Sequence, residues 1–247
     1  MDDDSSLPLK TVNVLNLDLE PYGQALRLQH LLVAARRDAR IEDTLVLLRH
    51  PPVITLGRRG DERHILASPK RLEQHGIEVF RVERGGDVTY HGPGQLVGYP
   101  IIDLKRLGGD VGWYMHSLEE LLLRTLHDFG IIGRRLPGHI GVWLDERTKV
   151  ASLGVRVETW IAYHGFALNV GDDPSYSALI LPCGLPEVEM SSMQRALGQQ
   201  VDMNLVRERV VHHFCDVFGL TARGISMESV LPPPELAVRP ASSCKGQ

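Results

Sequence analysis

The sequence predicts a mixed α/β domain of the α+β kind. Three observations predict it: amphipathic stretches with a period near 3.6, short β-branched runs bounded by Gly and Pro, and strand runs close enough in sequence to form hairpins. At 247 residues the chain is long enough to bury most of its unfolded surface in one core. The expected organisation is a flexible acidic arm over 1–10, one folded domain over 11–220, and a Pro/Ser-rich disordered tail over 221–247, where LPPPELAVRPASSCKGQ offers little to bury.

In chain order, Ala25, Leu28, Leu31, Leu32 and Ala35 mark a helix from about Tyr22 to Arg36. Strands follow at Thr44–Leu48 and Val53–Leu56, around Pro51-Pro52. Ser68-Pro69 starts a short helix that Gly76 ends, and Ile77–Val82 is a strand. RGGDVTYHGPG (84–94) is dense in glycine and reads as a loop, followed by a strand over Leu96–Leu104. Asp110 caps a helix that runs to about Phe129 and stops at Gly130. Ile140–Leu144, Lys149–Val157 and Ala162–Val170 are strands joined by short polar turns. A last helix, about Asp202–Phe218, ends at Gly219.

Charge and composition narrow the function classes. Lys plus Arg total 27 against 31 Asp plus Glu, a net charge of −4, which lacks the basic excess that nucleic acid or an anionic membrane would call for. The opening MDDDSSLPLK has no apolar segment of the secretory type, and no run of about 18 apolar residues suggests a membrane helix. Three Cys imply no disulfide framework, so a cytoplasmic, reducing compartment is expected. The spacings contain no GxGxxG, no P-loop, and no CxxC, HxxxH or HExxH metal pattern.

Two residues stand out. Cys183 sits in Leu-Pro-Cys-Gly-Leu-Pro, where Pro182 stiffens one side and Gly184 frees the other, a presentation suited to an open nucleophile. Taken alone, a buried inert thiol in a proline-rich turn is the plainer reading. Cys215 has the helical neighbours of a core residue, and Cys244 lies in the tail. Lys149 opens the apolar strand KVASLGV, so its stem is expected to pack while the amine points across a sheet face. A solvated edge charge is the plainer alternative. His50, His91 and His164 are isolated, and each alone reads as a hydrogen-bonded structural histidine.

Taken together, RGGDVTYHGPGQLVGYPIIDL (84–104), KVASLGVRVETWIAYHGFALNV (149–170) and LPCGL (181–185) resemble the octanoyltransferase family of lipoate assembly, and HPPVITLGRRG (50–60) is also similar. The resemblance runs from about residue 12 to 219. Where the family has Val-Thr-Ser-Leu after PCG, this chain has Glu189-Met190-Ser191-Ser192-Met193. The resemblance implies a single domain related to biotin and lipoate protein ligases. It implies transfer of an octanoyl group from acyl carrier protein to a specific lysine of lipoyl domains. The acceptors would be the E2 subunits of 2-oxoacid dehydrogenases and the glycine cleavage H protein. It implies an acyl thioester on Cys183, assistance from Lys149, no cofactor, no metal and a monomer. It lines the substrate cavity with Arg84, Gly85, Gly86, Asp87, Val88, Thr89, Tyr90 and His91, with Ser152, Leu153 and Gly154, and with Gly165, Phe166 and Ala167. His50 and His164 are further candidates.

The chemistry is compatible with those residues. A lysine ammonium near a cysteine favours thiolate, and a neutral lysine can take the proton of the incoming amine. Backbone N–H groups at Gly184 or Ser152–Gly154 are candidate oxyanion donors. Gly86, Gly154, Gly165 and Ala167 leave room for an acyl chain walled by Leu153 and Phe166, and burying seven methylenes contributes about 5 kcal/mol. Arg58, Arg59, Arg63, Lys70 and Arg71 form a candidate docking face. The competing readings are an ATP-dependent lipoate or biotin ligase, a thioesterase, and a catalytically silent carrier-binding protein.

Overall fold

The computed structural model describes residues 10–171, 179–185 and 187–230, and for Cys183 the backbone alone. The expected arm (residues 1–9), the end of the tail (231–247) and Cys244 lie outside the described residues.

The chain begins with β1 (Lys10–Leu19), α1 (Tyr22–Arg37), β2 (Asp43–Arg49) and β3 (Val53–Leu56). Then come α2 (Pro69–Gln74), β4 (Glu78–Arg81), β5 (Val88–His91), β6 (Gln95–Asp103), the one-turn α3 (Leu104–Leu107) and α4 (Val111–Asp128). The second half holds β7 (Arg134–Leu136), β8 (His139–Trp143), β9 (Thr148–Glu158) and β10 (Ile161–Asn169). After these come β11 (Glu189–Met190), α5 (Met193–Leu197), α6 (Met203–Phe218), β12 (Leu220–Gly224) and α7 (Met227–Val230). The large sheet runs β12-β1-β2-β6-β10-β9-β8-β7 with β11 against β9, and a small sheet runs β4-β3-β5.

Local chemistry sets the element ends as the sequence leads one to expect. Ser68 accepts a hydrogen bond from the Arg71 N–H, with Pro69 in the first turn, and Asp110 accepts from the Trp113 N–H. Asp202 caps α6, and Gly219 ends it at φ 63°. The β9–β10 turn places both Thr159 and Trp160 at positive φ (48° and 70°), the twist that a two-residue hairpin requires. The main core, between the sheet and α4 and α6, is built on Leu118, Leu121, Leu122, Val210 and Phe214, all fully buried.

Two expectations are corrected. Segment 84–94 is not all loop: Val88–His91 forms β5, antiparallel to β3, because Val-Thr-Tyr-His carries β-branched and aromatic side chains between two glycine pairs. The folded part also does not end at 220. Residues 220–224 pair in parallel with β1 from Lys10 to Val14, and Val230 is buried in the apolar cluster that holds Leu28 and Leu32 of α1. Residues 220–230 read LTARGISMESV, without proline, and the Pro/Ser-rich composition starts only at 231; the edge strand is not visible in composition because it needs only backbone pairing.

Candidate active site

A cleft of about 890 Å³ opens between the Arg84–Thr89 segment, β8 and β9, with Arg58, Arg59, Trp143, Lys149 and Leu185 on its walls. Two narrow branches leave it, and Thr89 and Ser152 line the cleft and both branches. The first branch is walled by Leu153, Gly154, Phe166 and Ala167 and ends among Tyr22, His91, Tyr99 and His164. The second runs under Tyr90, Asn169, Ile180 and Pro182 to Met190. The expected lining segments therefore meet at one place, although their sequence positions span some eighty residues.

Sheet register brings them together. Antiparallel pairing sets Gly154 opposite Gly165, Leu153 opposite Phe166, and Ser152 opposite Ala167. Gly85 donates its N–H to Val155 O at 2.9 Å, which lays the glycine pair onto β9. A Cβ on Gly154 would stand 2.8 Å from Gly85 O, so only glycine permits that approach. Arg84, 8% exposed, donates to Thr55 O at 2.8 Å and to Asp87 O at 2.8 Å, so its guanidinium holds the segment in shape. Gly165 lines the first branch with its neighbours, and it has a second part as well. A Cβ there would lie 2.2 Å from Gly98 O, so its missing side chain also lets β10 pack on β6.

Lys149 is 3% exposed, so the solvated-edge alternative fails. Its neighbours in the ladders are Trp143 and Met190. Its Nζ stands 5.0 Å from the centre of the Trp143 ring, within range of a cation–π attraction. Gly141 makes room for it: a Cβ on Gly141 would fall 2.4 Å from Lys149 Cε. The sequence reading missed Gly141, whose φ of 128° singles it out only in the structure.

The Pro182–Gly184 turn is a single 3-10 turn, and the Cys183 side chain lies outside the described residues. Its approach is stitched to a distant segment: Ile65 bridges Ile180, and Leu181 donates its N–H to His64 O at 2.7 Å. After the turn, Ser191 N–H donates to Lys149 O at 2.8 Å. The turn thus stands between two anchors, His64 and Lys149. Gly184 is removed from the oxyanion candidates, because its N–H donates to Leu181 O at 3.1 Å.

His64 is a second residue that the sequence reading passed over. Its Nδ1 donates to Asp87 Oδ2 at 2.5 Å, and Asp87 Oδ1 accepts the Asp61 N–H at 3.0 Å. The signal available in sequence was only a histidine in a polar stretch, DERH, with its carboxylate partner 23 residues away.

The three candidate histidines are buried: His91 and His164 line the polar end of the first branch, and the His50 ring lies 5.6 Å from that of His91. His50 Nδ1 donates to Glu20 O at 2.7 Å, and Nε2 accepts from the Tyr99 hydroxyl at 2.7 Å. Burial pushes its pKa down to about 4, and burial likewise holds His91 well below the usual range. His164 sits at φ 55° with both ring nitrogens buried and without a hydrogen-bond partner among the described residues. Glu83 lies 3.9 Å from its Nε2, too far for a hydrogen bond, and burial lowers its pKa too.

Of the expected basic face, only Arg58 and Arg59 line the cleft. Arg63 is paired with Asp61 at 2.5 Å, while Lys70 and Arg71 belong to α2. Outside the cleft, His212, His213 and Asp216 on α6 bring their ligand atoms within 4.8 Å of one another. No helix among the described residues is long and apolar enough to cross a membrane.

Residues 21–215 match the family model of the lipoyl protein ligase A/B catalytic domain. The octanoyltransferase of Solibacter usitatus is 49% identical over 197 residues, covering 80% of this chain and 88% of the relative. That of Caldicellulosiruptor saccharolyticus is 44% identical over 221 residues, covering 89% and 94%. Among solved structures, a lipoate-protein ligase A bound with ATP superposes with a TM-score of 0.72 at 16% identity, covering 89% of this chain and 92% of that one. A bi-partite lipoate protein ligase from Thermoplasma acidophilum gives 0.68 at 16%, covering 90% of each chain. At such low identity these two show the shared fold.

Proposed function

The chain belongs to the lipoyl protein ligase A/B catalytic family as an acyltransferase of the octanoyltransferase kind, acting in protein lipoylation, and on that premise we propose its mechanism. Octanoyl-acyl carrier protein is the donor. Cys183 attacks the donor thioester and becomes the acyl-enzyme, and a lysine of a lipoyl domain then takes the octanoyl group. The enzyme works as a cytoplasmic monomer.

The observation that carries this reading is the position of Lys149: buried, at the wall of the cleft, and joined through the Met190 ladder and the Ser191 hydrogen bond to the chain leaving the Pro-Cys-Gly turn. As the neutral amine Lys149 can take the thiol proton, and the ammonium so formed favours thiolate over thiol at the turn. In the loading step the Cys183 sulfur bonds to the acyl carbon, the donor carbon–sulfur bond breaks, and the carrier thiolate leaves with the electron pair. Lys149 takes the Cys183 proton and hands it to that departing thiolate. The branch walled by Leu153, Phe166 and Ala167 receives the acyl chain. Arg58 and Arg59 at the mouth, beside the exposed Val111 and Ile140, are the docking face for the protein partners.

The test is intact-protein mass spectrometry after mixing with octanoyl-loaded carrier protein. A thioester-linked octanoyl mass on the wild type that is absent from Cys183→Ala supports the mechanism. A Cys183→Ala protein that still gains the mass overturns it.

A further inference from the structure

The first branch is apolar along its length and polar where it ends. Thr89 and Ser152 stand at its mouth, where it leaves the cleft that holds Lys149. Its side walls are rigid. A Cβ on Gly98 would fall 2.2 Å from Phe166 Cζ, so the Phe166 ring lies flush against the β6 backbone. The end wall is held as firmly. The Tyr99 hydroxyl donates to His50 Nε2 at 2.7 Å, and His91 Nδ1 donates to Gln95 Oε1 at 3.1 Å. The His164 backbone N–H donates to Gln29 Oε1 at 2.9 Å, and its ring stacks on Tyr163 with centroids 5.0 Å apart. Strands β6 and β10 are paired at Ala162–Ile102 and again at Phe166–Gly98, and His164 lies in the gap between at φ 55°. A histidine held at positive φ inside a strand marks a position that the surrounding structure over-determines.

Sheet register measures the branch. Ser152 pairs with Ala167 at the mouth, and Val155 pairs with His164 three residues further along both strands. At about 3.3 Å per residue the mouth and the His164 position are about 10 Å apart. Eight carbons in an extended zigzag of single bonds, each about 1.5 Å, span about 9 Å. We propose that His164 is the length stop of the acyl branch, the residue that makes the enzyme favour an eight-carbon chain over longer ones. This rests on the octanoyl-transfer reading above and on the acyl chain lying in the first branch. Every methylene up to the ring gains from burial against Leu153, Phe166 and Ala167. Beyond that point the gain ends. Both ring nitrogens of His164 are buried without a hydrogen-bond partner among the described residues. A methyl group pressed against them would seal them from water, and a buried polar group left unbonded costs free energy. The end wall thus refuses a longer apolar chain by its chemistry as well as by its shape.

The experiment is a competition within one tube. Wild type, His164→Gly and His164→Asn each receive an equimolar mixture of hexanoyl-, octanoyl-, decanoyl- and dodecanoyl-loaded carrier protein with a lipoyl domain. Mass spectrometry then gives the proportion of each acyl chain on the domain. Glycine and asparagine both accept positive φ, so the strand keeps its course, and both are shorter than histidine. Wild type should transfer octanoyl at least about tenfold faster than decanoyl. Both variants should lose that preference, with the favoured length moving to decanoyl or beyond. The readout is a ratio, so a general loss of activity in a variant does not disturb it. Ile180 lines only the second branch, and Ile180→Val should keep the wild-type ratio. Three results would each overturn the assignment: decanoyl transferred by wild type as fast as octanoyl, an unchanged ratio in the His164 variants, or a ratio that follows Ile180→Val instead. A wild-type enzyme that places no acyl chain of any length on the domain would overturn the octanoyl-transfer reading itself.

Discussion

Gly141 and Lys149 are matched in space: the position of a Gly141 Cβ falls 2.4 Å from Lys149 Cε and 3.0 Å from Nζ. The backbone at Gly141 also has φ 128°, a value L residues avoid, and its N–H donates to Glu119 Oε1 at 3.0 Å. Glycine at this point lets the lysine lie against β8 with its amine on the Trp143 face. Gly141→Ala should therefore drive the amine from its place and also cost about 1–3 kcal/mol in backbone strain. The expected result is a lower Tm together with octanoyl transfer reduced at least about tenfold. A variant with wild-type transfer would show that the position of the lysine does not matter.

Lys149→Met keeps the length and apolar stem of the side chain and removes the amine. The variant should fold as wild type, yet its Cys183 should alkylate more slowly at neutral pH, with the difference closing as pH rises and the thiol ionises unaided. The measurement is the iodoacetamide rate against pH, assigned by peptide mapping. Cys215 provides an internal contrast, since burial pushes its thiol pKa up and it should react slowly in both proteins. Superimposable Cys183 curves would take Lys149 out of the mechanism.

His50 makes the fold acid-sensitive. Its folded pKa, about 4, lies below the unfolded value of 6.5, so the folded state disfavours its protonation. The stability this provides is whole above pH 6.5 and declines as pH falls toward 4, by roughly 3 kcal/mol in all. His50→Gln, which cannot titrate, should show a flatter dependence of unfolding free energy on pH across that window. Equal slopes for the two proteins in urea melts at pH 4.5, 5.5 and 7 would refute the assignment.

The C-terminal strand holds up one edge of the sheet. Removing residues 222–247 takes away most of β12 and all of α7, leaving part of the β1 edge unpaired and opening the apolar cluster that holds Leu28 and Leu32. Removing 231–247 alone touches neither contact. The longer truncation should lower Tm by several degrees more than the shorter one, since about 1 kcal/mol already moves Tm by 2–4 °C in a chain of this size. Equal melting temperatures would restore the expected domain boundary at 220.

Much was legible in the sequence, and it was of two kinds. The first was local: Ser68, Asp110 and Asp202 as caps, Gly130 and Gly219 as stops, and alternating or 3.6-periodic apolar residues in between. These signals act within about four residues, so one chain suffices to read them. The second was the motif set 84–104, 149–170 and 181–185, whose order and spacing pointed to the family and to the lining of one cleft. What only the tertiary structure decided is which residues touch. Sheet register placed Gly154 under Gly85, made Gly165 a packing glycine against Gly98, put Gly141 beside Lys149, and paired β12 with β1. The same holds for His64 and Asp87, 23 residues apart, joined across the ends of different segments. Such contacts depend on how backbone hydrogen bonds align strands distant in sequence, and no local propensity or periodicity records that alignment.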